Sequence, residues 1–303
     1  GIKIDSFWSK ISSIGKAGSA ESITLSYSIE FNEDLAWFFG FRDGDGIREG
    51  LVIGACGSPK EIMLLFKYKE IFDSLIKTSN RWSVYVKSRI ISISEVKELF
   101  PDCRVYQYVK GRKENHEGII NLQIGSRILN RFFHNIEQNL ENILLNSSNE
   151  AKYAYLRGFF DTDGCVDIHG YVVLRQCKKA YFRIKRVENI LKSIDVKFKT
   201  FRRKDGFSLV VYDLIEYKNK ISFESNIKRN KLDNVISLFN VKRDDSCIKD
   251  KLLKLTDKSI TKKELMFRLN SKYGKTSNVI RELVYGKKLK ILKQRPMTVI
   301  SIK

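Results

Sequence analysis

Apolar and polar residues change their spacing repeatedly along this chain, and each change predicts an element. Helices are expected between Asn32 and Gly46 and between Ser148 and Gly164, because both stretches open on good helix starters (Asn32-Glu33-Asp34; Ser148-Asn149-Glu150) and close on glycine. Residues 47–55 read as a short hairpin, and Pro59 sits where a helix over 60–76 would start. Residues 82–86 alternate like a strand, and 94–100 form a short helix stopped by Pro101. Residues 105–109 and 119–124 alternate around a polar turn from Gly111 to Gly118, a hairpin signal, and a helix over 127–145 follows. The second half is more regular. A hairpin over 166–168 and 171–176 turns at His169-Gly170, and 181–194 is helical. A second hairpin over 196–203 and 207–212 turns through Lys204-Asp205-Gly206, and 226–238 is helical. Residues 1–30 are mixed and read as an arm or a strand.

The two glycine-terminated helices carry one pattern written twice. Phe38-Phe39-Gly40-Phe41-Arg42-Asp43-Gly44-Asp45-Gly46 and Leu156-Arg157-Gly158-Phe159-Phe160-Asp161-Thr162-Asp163-Gly164 are bulky at the start, small at positions four apart, and close on Asp-x-Asp-Gly. Positions four apart share one helix face, and a small-residue face lets a second helix approach closely. The two helices are therefore expected to cross. Each then ends in a carboxylate, Asp45 or Asp163, against the negative end of its own dipole. Two such ends together call for positive charge, and a divalent cation with oxygen ligands supplies it. Asp43 and Asp161 read as turn or helix-cap carboxylates. The Asp-Gly-Asp-Gly run lacks the third acid and closing Glu of a calcium loop.

These residues resemble the two LAGLIDADG motifs of single-chain homing endonucleases, and the resemblance covers most of residues 31–243. It implies an α+β fold: two pseudo-symmetric αββαββα repeats forming a DNA-binding saddle, with the motif helices at their interface. It also implies magnesium or manganese held at Asp45 and Asp163, with Gly44 and Thr162 beside them. By the same resemblance Gln176 would order the attacking water and Lys228 would stabilise charge on the pentacovalent phosphorus. The first repeat shows no glutamine at the matching place, Gly54-Ala55-Cys56-Gly57, and its basic counterpart would be Arg127.

Charge sharpens this picture. The net charge of +21 belongs entirely to the second half: residues 1–150 carry 19 Lys and Arg against 19 Asp and Glu, and residues 151–303 carry 37 against 16. A basic half of this size points to a polyanion, foremost double-stranded DNA, with a solvated basic face as the plainer alternative. Lys197, Lys199 and Arg203 share one parity of a strand with Phe201, as a sheet tracking a DNA groove needs. Arg175, Lys178 and Lys179 belong with them as DNA-contact candidates. The five cysteines show no Cys-x-x-Cys spacing and the three histidines do not cluster with them, which argues against a zinc site. Cys165 and Cys177 read as free thiols across a hairpin. No apolar run reaches membrane-spanning length, so a soluble intracellular protein is expected.

Residues 244–303 read as a separate module, after an arm over 1–30 and repeats over 31–146 and 147–243. Helical spacing over 248–255, 261–269 and 276–285, then a hairpin over 290–294 and 297–302, resembles a winged helix. Thr276 through Arg281 would begin its groove-entering helix. A monomeric, metal-dependent DNA endonuclease is the expectation. A DNA-binding regulator on the same scaffold and a maturase acting on intron RNA stand beside it. The chain neither begins on Cys or Ser nor closes on His-Asn, so an intron-encoded or free-standing origin is expected rather than a protein-splicing element.

Overall fold

A computed structural model describes residues 28–47, 51–78, 81–108, 118–167 and 170–240, together with short pieces at 2–5, 10–14, 20–25, 260–261, 280, 289–293 and 299–302. The chain divides into two compact units, residues 1–165 with 173–229, and residues 166–172 with 230–303.

The chain runs twice through one order of elements. The first pass is helix α1 (Glu33–Asp45), strands β5 (Gly46–Ile47) and β6 (Val52–Gly57), helix α2 (Ile62–Leu75), strand β8 (Ser83–Lys87), helix α3 (Ile93–Leu99), strands β9 (Arg104–Gln107) and β10 (Ile119–Gly125), and helix α4 (Arg127–Leu145). The second is α5 (Asn149–Asp163), β11 (Gly164–Asp167), β12 (Tyr171–Cys177), α6 (Tyr181–Ser193), β13 (Phe198–Arg202), β14 (Gly206–Val211), α7 (Leu214–Lys220) and α8 (Asn226–Asn240). The sheets are ordered β5-β6-β10-β8-β9 and β11-β12-β14-β13. Leaving β9 aside, the strands of both sheets lie in the order first, second, fourth, third. This is the α+β, αββαββα repeat expected from the sequence, with α3 and β9 inserted into the first copy and α7 into the second.

That insertion overturns one expectation. Residues 105–109 and 119–124 do not form a hairpin, because β8 lies between β9 and β10, antiparallel to β10 and parallel to β9. The parallel pair needs a crossover, which α3 provides. Burial explains the choice: β10 alternates with Ile120, Leu122 and Ile124 buried and needs a neighbour on each side, whereas β9 is mostly exposed and suits an edge. The turn from Gly111 to Glu117 lies outside the described residues. In the second copy Arg203–Asp205 link β13 to β14 directly, and Gly206 belongs to β14 rather than to the turn. A Cβ on Gly206 would lie 2.0 Å from the Gln176 carbonyl oxygen, so glycine is required there by close approach of β12.

The N-terminal residues are strands. β1 (Ile2–Asp5) pairs with β4 (Ser28–Phe31), and β3 (Ala20–Leu25) lies between β2 (Lys10–Ile14) and β7 (Ile76–Thr78). In the second unit β15 (Ile260–Thr261), β17 (Val299–Ile302) and β16 (Leu289–Lys293) form an antiparallel sheet, so the expected C-terminal hairpin is present and Thr261 is strand rather than helix. Most of the expected C-terminal helical positions, Arg281 included, lie outside the described residues.

α1 and α5 are the centre of the first unit. Asn32 Oδ1 accepts the Leu35 N–H at 3.0 Å and Ser148 Oγ accepts the Ala151 N–H at 3.2 Å, so each helix start is capped as its sequence predicts. The helices meet backbone to backbone: a Cβ on Gly40 would lie 2.0 Å from the Tyr155 carbonyl oxygen, and one on Gly158 2.3 Å from that of Trp37. Around this contact Trp37, Phe38, Phe39, Phe41, Tyr155, Leu156, Phe159 and Phe160 are buried. Each such side chain contributes on the order of 2 kcal/mol of apolar burial. Gly46 and Gly164 end the helices with extended backbone, φ −68° and −83°. They are not the left-handed caps that a terminal glycine suggests. Instead a Cβ would lie 2.3 Å from the Arg42 carbonyl oxygen and 2.4 Å from that of Phe160, respectively.

Gly158→Ala is therefore expected to lower stability by about 3 kcal/mol or more, because the neighbour is backbone and cannot rotate away. Gly125→Ala, with nothing within 4 Å of its Cβ position, is expected to change stability by less than about 0.5 kcal/mol. Chemical denaturation of both variants checks the pair.

Candidate functional site

The close crossing fixes where the helices end. A Cβ on Gly44 would lie 1.8 Å from Thr162 Oγ1 and 3.2 Å from Asp163 Oδ2, so the last turns of α1 and α5 are side by side. Asp45 and Asp163 are thereby brought together, as their matched spacing implied. Burial, then the charge of Asp163, pushes the Asp45 carboxyl up to about 7. Burial also raises Asp163, against the opposing pull of Gln176 and Lys228.

The groups around the two acids differ. On the α5 side Gln176, from β12, donates its Nε2 hydrogen to Asp163 Oδ2 at 2.5 Å. Lys228, in the first turn of α8, donates from Nζ to the carbonyl oxygens of Phe160 (3.3 Å), Asp161 and Thr162 (3.0 Å). The Asp161 and Thr162 carbonyls are among those left open at the end of α5, while that of Phe160 also accepts the Gly164 N–H, so the ammonium sits on the negative pole of that helix. The ammonium thus holds the backbone behind Asp163. On the α1 side Cys56 Sγ donates to the Asp45 carbonyl oxygen at 3.5 Å, and its thiol is pushed up to about 11 by burial and by Asp45. Glu61 adds negative charge near Asp45 and accepts the Ser225 hydroxyl. Glu61 and Cys56 carried no signal in the sequence. The Arg127 side chain lies outside the described residues.

Asp43 and Asp161 hold the crossing rather than the site. Tyr155 Oη donates to Asp43 Oδ2 at 2.6 Å, and Trp37 Nε1 donates to Asp161 Oδ2 at 3.3 Å. Trp37 and Tyr155 occupy the same place in the two motif copies, so the bonds are reciprocal. Asp43 is not the helix cap expected of it: Arg186 Nη1 of α6 donates to it at 2.5 Å, making a buried ion pair. Asp161 accepts the N–H groups of Glu224 (2.9 Å) and Ser225 (3.0 Å), the two residues before α8, whose own cap is Ser225 Oγ accepting the Lys228 N–H. Burial raises the Asp161 carboxyl to about 6 against those bonds.

The donor set at Asp45 and Asp163 fits a hard divalent cation. Both are oxygen donors, both are raised by burial, and Gly44 leaves room where a side chain would collide. Among the described residues no cluster of three His, Cys, Asp or Glu could hold a metal. An ion here would keep positions for water and phosphate oxygens, as magnesium does when one or two carboxylates bind it.

Of the expected DNA contacts, Lys197, Lys199 and Arg203 are exposed, and Lys199 Nζ lies 5.3 Å from the centre of the Phe201 ring. In the β13–β14 register Lys199 and Phe201 stand opposite Val210 and Ser208, which are themselves buried, on one face of the sheet, and Leu209 and Val211 are buried on the other. Arg175 on β12, and Lys178 and Lys179 in the turn after it, are exposed too. The cysteines 56, 103, 165 and 177 are free thiols. Among the described residues no helix is long and apolar enough to cross a membrane.

No protein-family model and no curated protein matches this chain. Among solved structures it is similar to homing endonuclease I-DmoI in complex with DNA and calcium, at 12% identity over 66% of this chain and 93% of that one, TM-score 0.44. It is similar also to the homing endonuclease I-WcaI bound to its DNA recognition sequence, at 12% identity over 65% and 89%, TM-score 0.38. Full-length DUF199/WhiA from Thermatoga maritima is similar at 12% identity over 84% and 91%, TM-score 0.42. At these distances the similarity carries nothing about activity, and the functional reading rests on the residues themselves.

The raised Asp45 carboxyl makes the folded state bind a proton that the unfolded chain has released. In metal-free buffer its contribution is therefore lost as pH rises from about 4 through about 7. Asp45→Asn removes that loss. Relative to wild type the variant is expected to gain on the order of 2 kcal/mol at pH 7.5 compared with pH 4.5, read from denaturation curves at both values.

Proposed function

We propose that this chain is a site-specific endonuclease of the LAGLIDADG type that cuts both strands of duplex DNA at a long recognition site. The observation that carries the reading is the pair of buried carboxylates, Asp45 and Asp163, at the adjoining ends of two crossing helices. Asp45 and Asp163 would hold magnesium or manganese, with Gly44 and Thr162 lining the gap between them. Such an ion, when bound, supplies a Lewis acid to the scissile phosphate and lowers the pKa of a water. Each acid serves one strand. Gln176 keeps the Asp163 carboxylate oriented, and Lys228 fixes the end of α5 on which that carboxylate stands. Water adds in line at phosphorus as the bond to the 3′ oxygen breaks, leaving 3′-hydroxyl and 5′-phosphate ends. The exposed cations Lys197, Lys199, Arg203, Arg175, Lys178 and Lys179 neutralise DNA phosphates. The expectation of a monomer is kept, since a single chain carries both acids, and so are the intron-encoded origin and a C-terminal winged-helix module that adds Arg281 to the DNA contacts.

A second reading, duplex binding without cleavage, is favoured by one observation. Lys228 already places a positive charge on the α5 end beside Asp163, which lessens the need for a metal.

Selection of cleaved molecules from a randomised duplex library in magnesium separates the two. Wild type is expected to make double-strand breaks, and Asp45→Asn or Asp163→Asn to lose cutting by about 100-fold or more while still binding. Gln176→Ala is expected to slow cutting by about 10- to 100-fold. Wild-type binding with no cutting in magnesium or manganese would establish the second reading.

A further inference from the structure

The two copies of the repeat use their second helices differently, and the difference leaves one helix face uncovered. α2 and α6 stand at the same place in the two copies. Counted from the first residue of each, Lys67 and Glu70 of α2 match Arg186 and Asn189 of α6. On α6 both positions reach α4: Arg186 Nη2 donates to the Glu137 carbonyl oxygen at 3.4 Å, and Asn189 Nδ2 donates to Glu141 Oε1 at 2.7 Å. On α2 Lys67 pairs at 3.2 Å with Glu224, two residues before α8, and Glu70 has no ion-pair or hydrogen-bond partner among the described residues.

Beside α2 this leaves a groove of about 610 Å³, a size at which pockets bury a ligand. One wall is a single stripe of α2, Met63, Phe66, Glu70 and Ser74, and the other includes Arg229 in the first turn of α8, with Asp34 of α1 beside them. From Met63 to Ser74 the stripe is about 16 Å long. Met63 is 57% exposed, and a flexible thioether on a groove wall adapts to whatever packs against it. The groove's cations are engaged within the chain. Lys67 holds Glu224 and lies 4.9 Å from the centre of the Trp37 ring, and Arg229 donates to the carbonyl oxygens of Phe223 (2.9 Å) and Glu224 (3.3 Å). Its acids Asp34 and Glu70 are exposed and, among the described residues, have no charged partner. The Ser225 hydroxyl donates to Glu61, and with the Lys67–Glu224 pair this ties the two walls together, so the groove is formed before anything enters it.

We propose that the groove between α2 and the start of α8 docks an amphipathic helix of a partner protein, one whose apolar stripe is flanked by lysine or arginine. The proposal goes beyond the endonuclease reading and does not depend on it. Charge selects the occupant. The chain as a whole carries +21, yet the charges left free at this groove are carboxylates. Free carboxylates repel nucleic-acid phosphates and attract a cationic partner. Shape selects a helix. A groove walled by a helical stripe about three turns long accepts apolar anchors spaced i, i+3 or i+4, and i+7 from a helix laid along it. Met63 and Phe66 would take those anchors, and Asp34 and Glu70 would take the cations at their sides.

The test selects random displayed peptides of about 14 residues, roughly four helical turns, on the full chain. Enriched sequences are expected to carry apolar residues at i, i+3 or i+4, and i+7, with Lys or Arg beside them. A synthetic copy of the most enriched peptide is then added to chain isotope-labelled at the methionine methyl groups. The Met63 signal, identified by its absence from Met63→Leu, is expected to shift. Asp34→Lys/Glu70→Lys is expected to weaken the peptide by about 10-fold or more, and Glu70→Gln alone by a few fold. Thermal melts confirm that the variants are folded. Enriched sequences without helical spacing or without cations, an unmoved Met63 signal, or undiminished binding by both charge variants overturns the proposal. A Met63 shift caused by duplex DNA in place of the peptide overturns it too. So does self-association in sedimentation that Met63→Asp disperses, which would assign the groove to a second copy of the chain.

Discussion

Everything in the first unit depends on how closely two helices can approach. With hydrogen atoms at Gly40 and Gly158 in place of side chains, α1 and α5 touch backbone to backbone, and a single methyl group at either position would overlap a carbonyl oxygen. That contact fixes the spacing of everything attached to the helices. Reciprocal bonds from Tyr155 to Asp43 and from Trp37 to Asp161 tie each helix to the other near its end. A buried carboxylate without a donor would be costly, so these bonds also disfavour alternative crossings. The result is a rigid frame that brings Asp45 and Asp163 together despite their mutual repulsion. The cost shows in Asp45, whose carboxyl is driven up to about 7.

The frame is nearly symmetric and its surroundings are not. Leaving the inserted β9 aside, both copies order their strands first, second, fourth, third. Yet Gln176 and Lys228 serve the α5 end, while Cys56 and Glu61 stand at the α1 end. Symmetry is kept where packing demands it and relaxed where side chains meet solvent or ligand.

Much of this was legible in the residues. Both motif helices, their caps, the α2, α4, α6 and α8 helices and the second-half hairpins follow from local spacing and capping, because those signals act within a few residues. The crossing and the pairing of Asp45 with Asp163 were legible too, since the same pattern stands twice. α7 was not, although Asp213 accepts the Glu216 N–H at 2.9 Å as a cap; a helix of seven residues carries too little periodicity to announce itself.

What only the tertiary structure decided is the set of partners that come from far along the chain. Alternation marked residues 105–109 and 119–124 as strands, but a strand's period says which face it buries and not which neighbour it takes. Only assembly of the sheet put β8 between them. Asp43 and Asp161 looked like turn residues until Arg186 and the start of α8 were folded onto them. The seat of the Lys228 ammonium on three carbonyls of α5 likewise came only with the folded chain. The sequence by itself determined the helices and the pair of acids, because spacing along a helix is a local property. Which charge meets which depends on elements brought together through space, where burial penalises a charged group that lacks a partner.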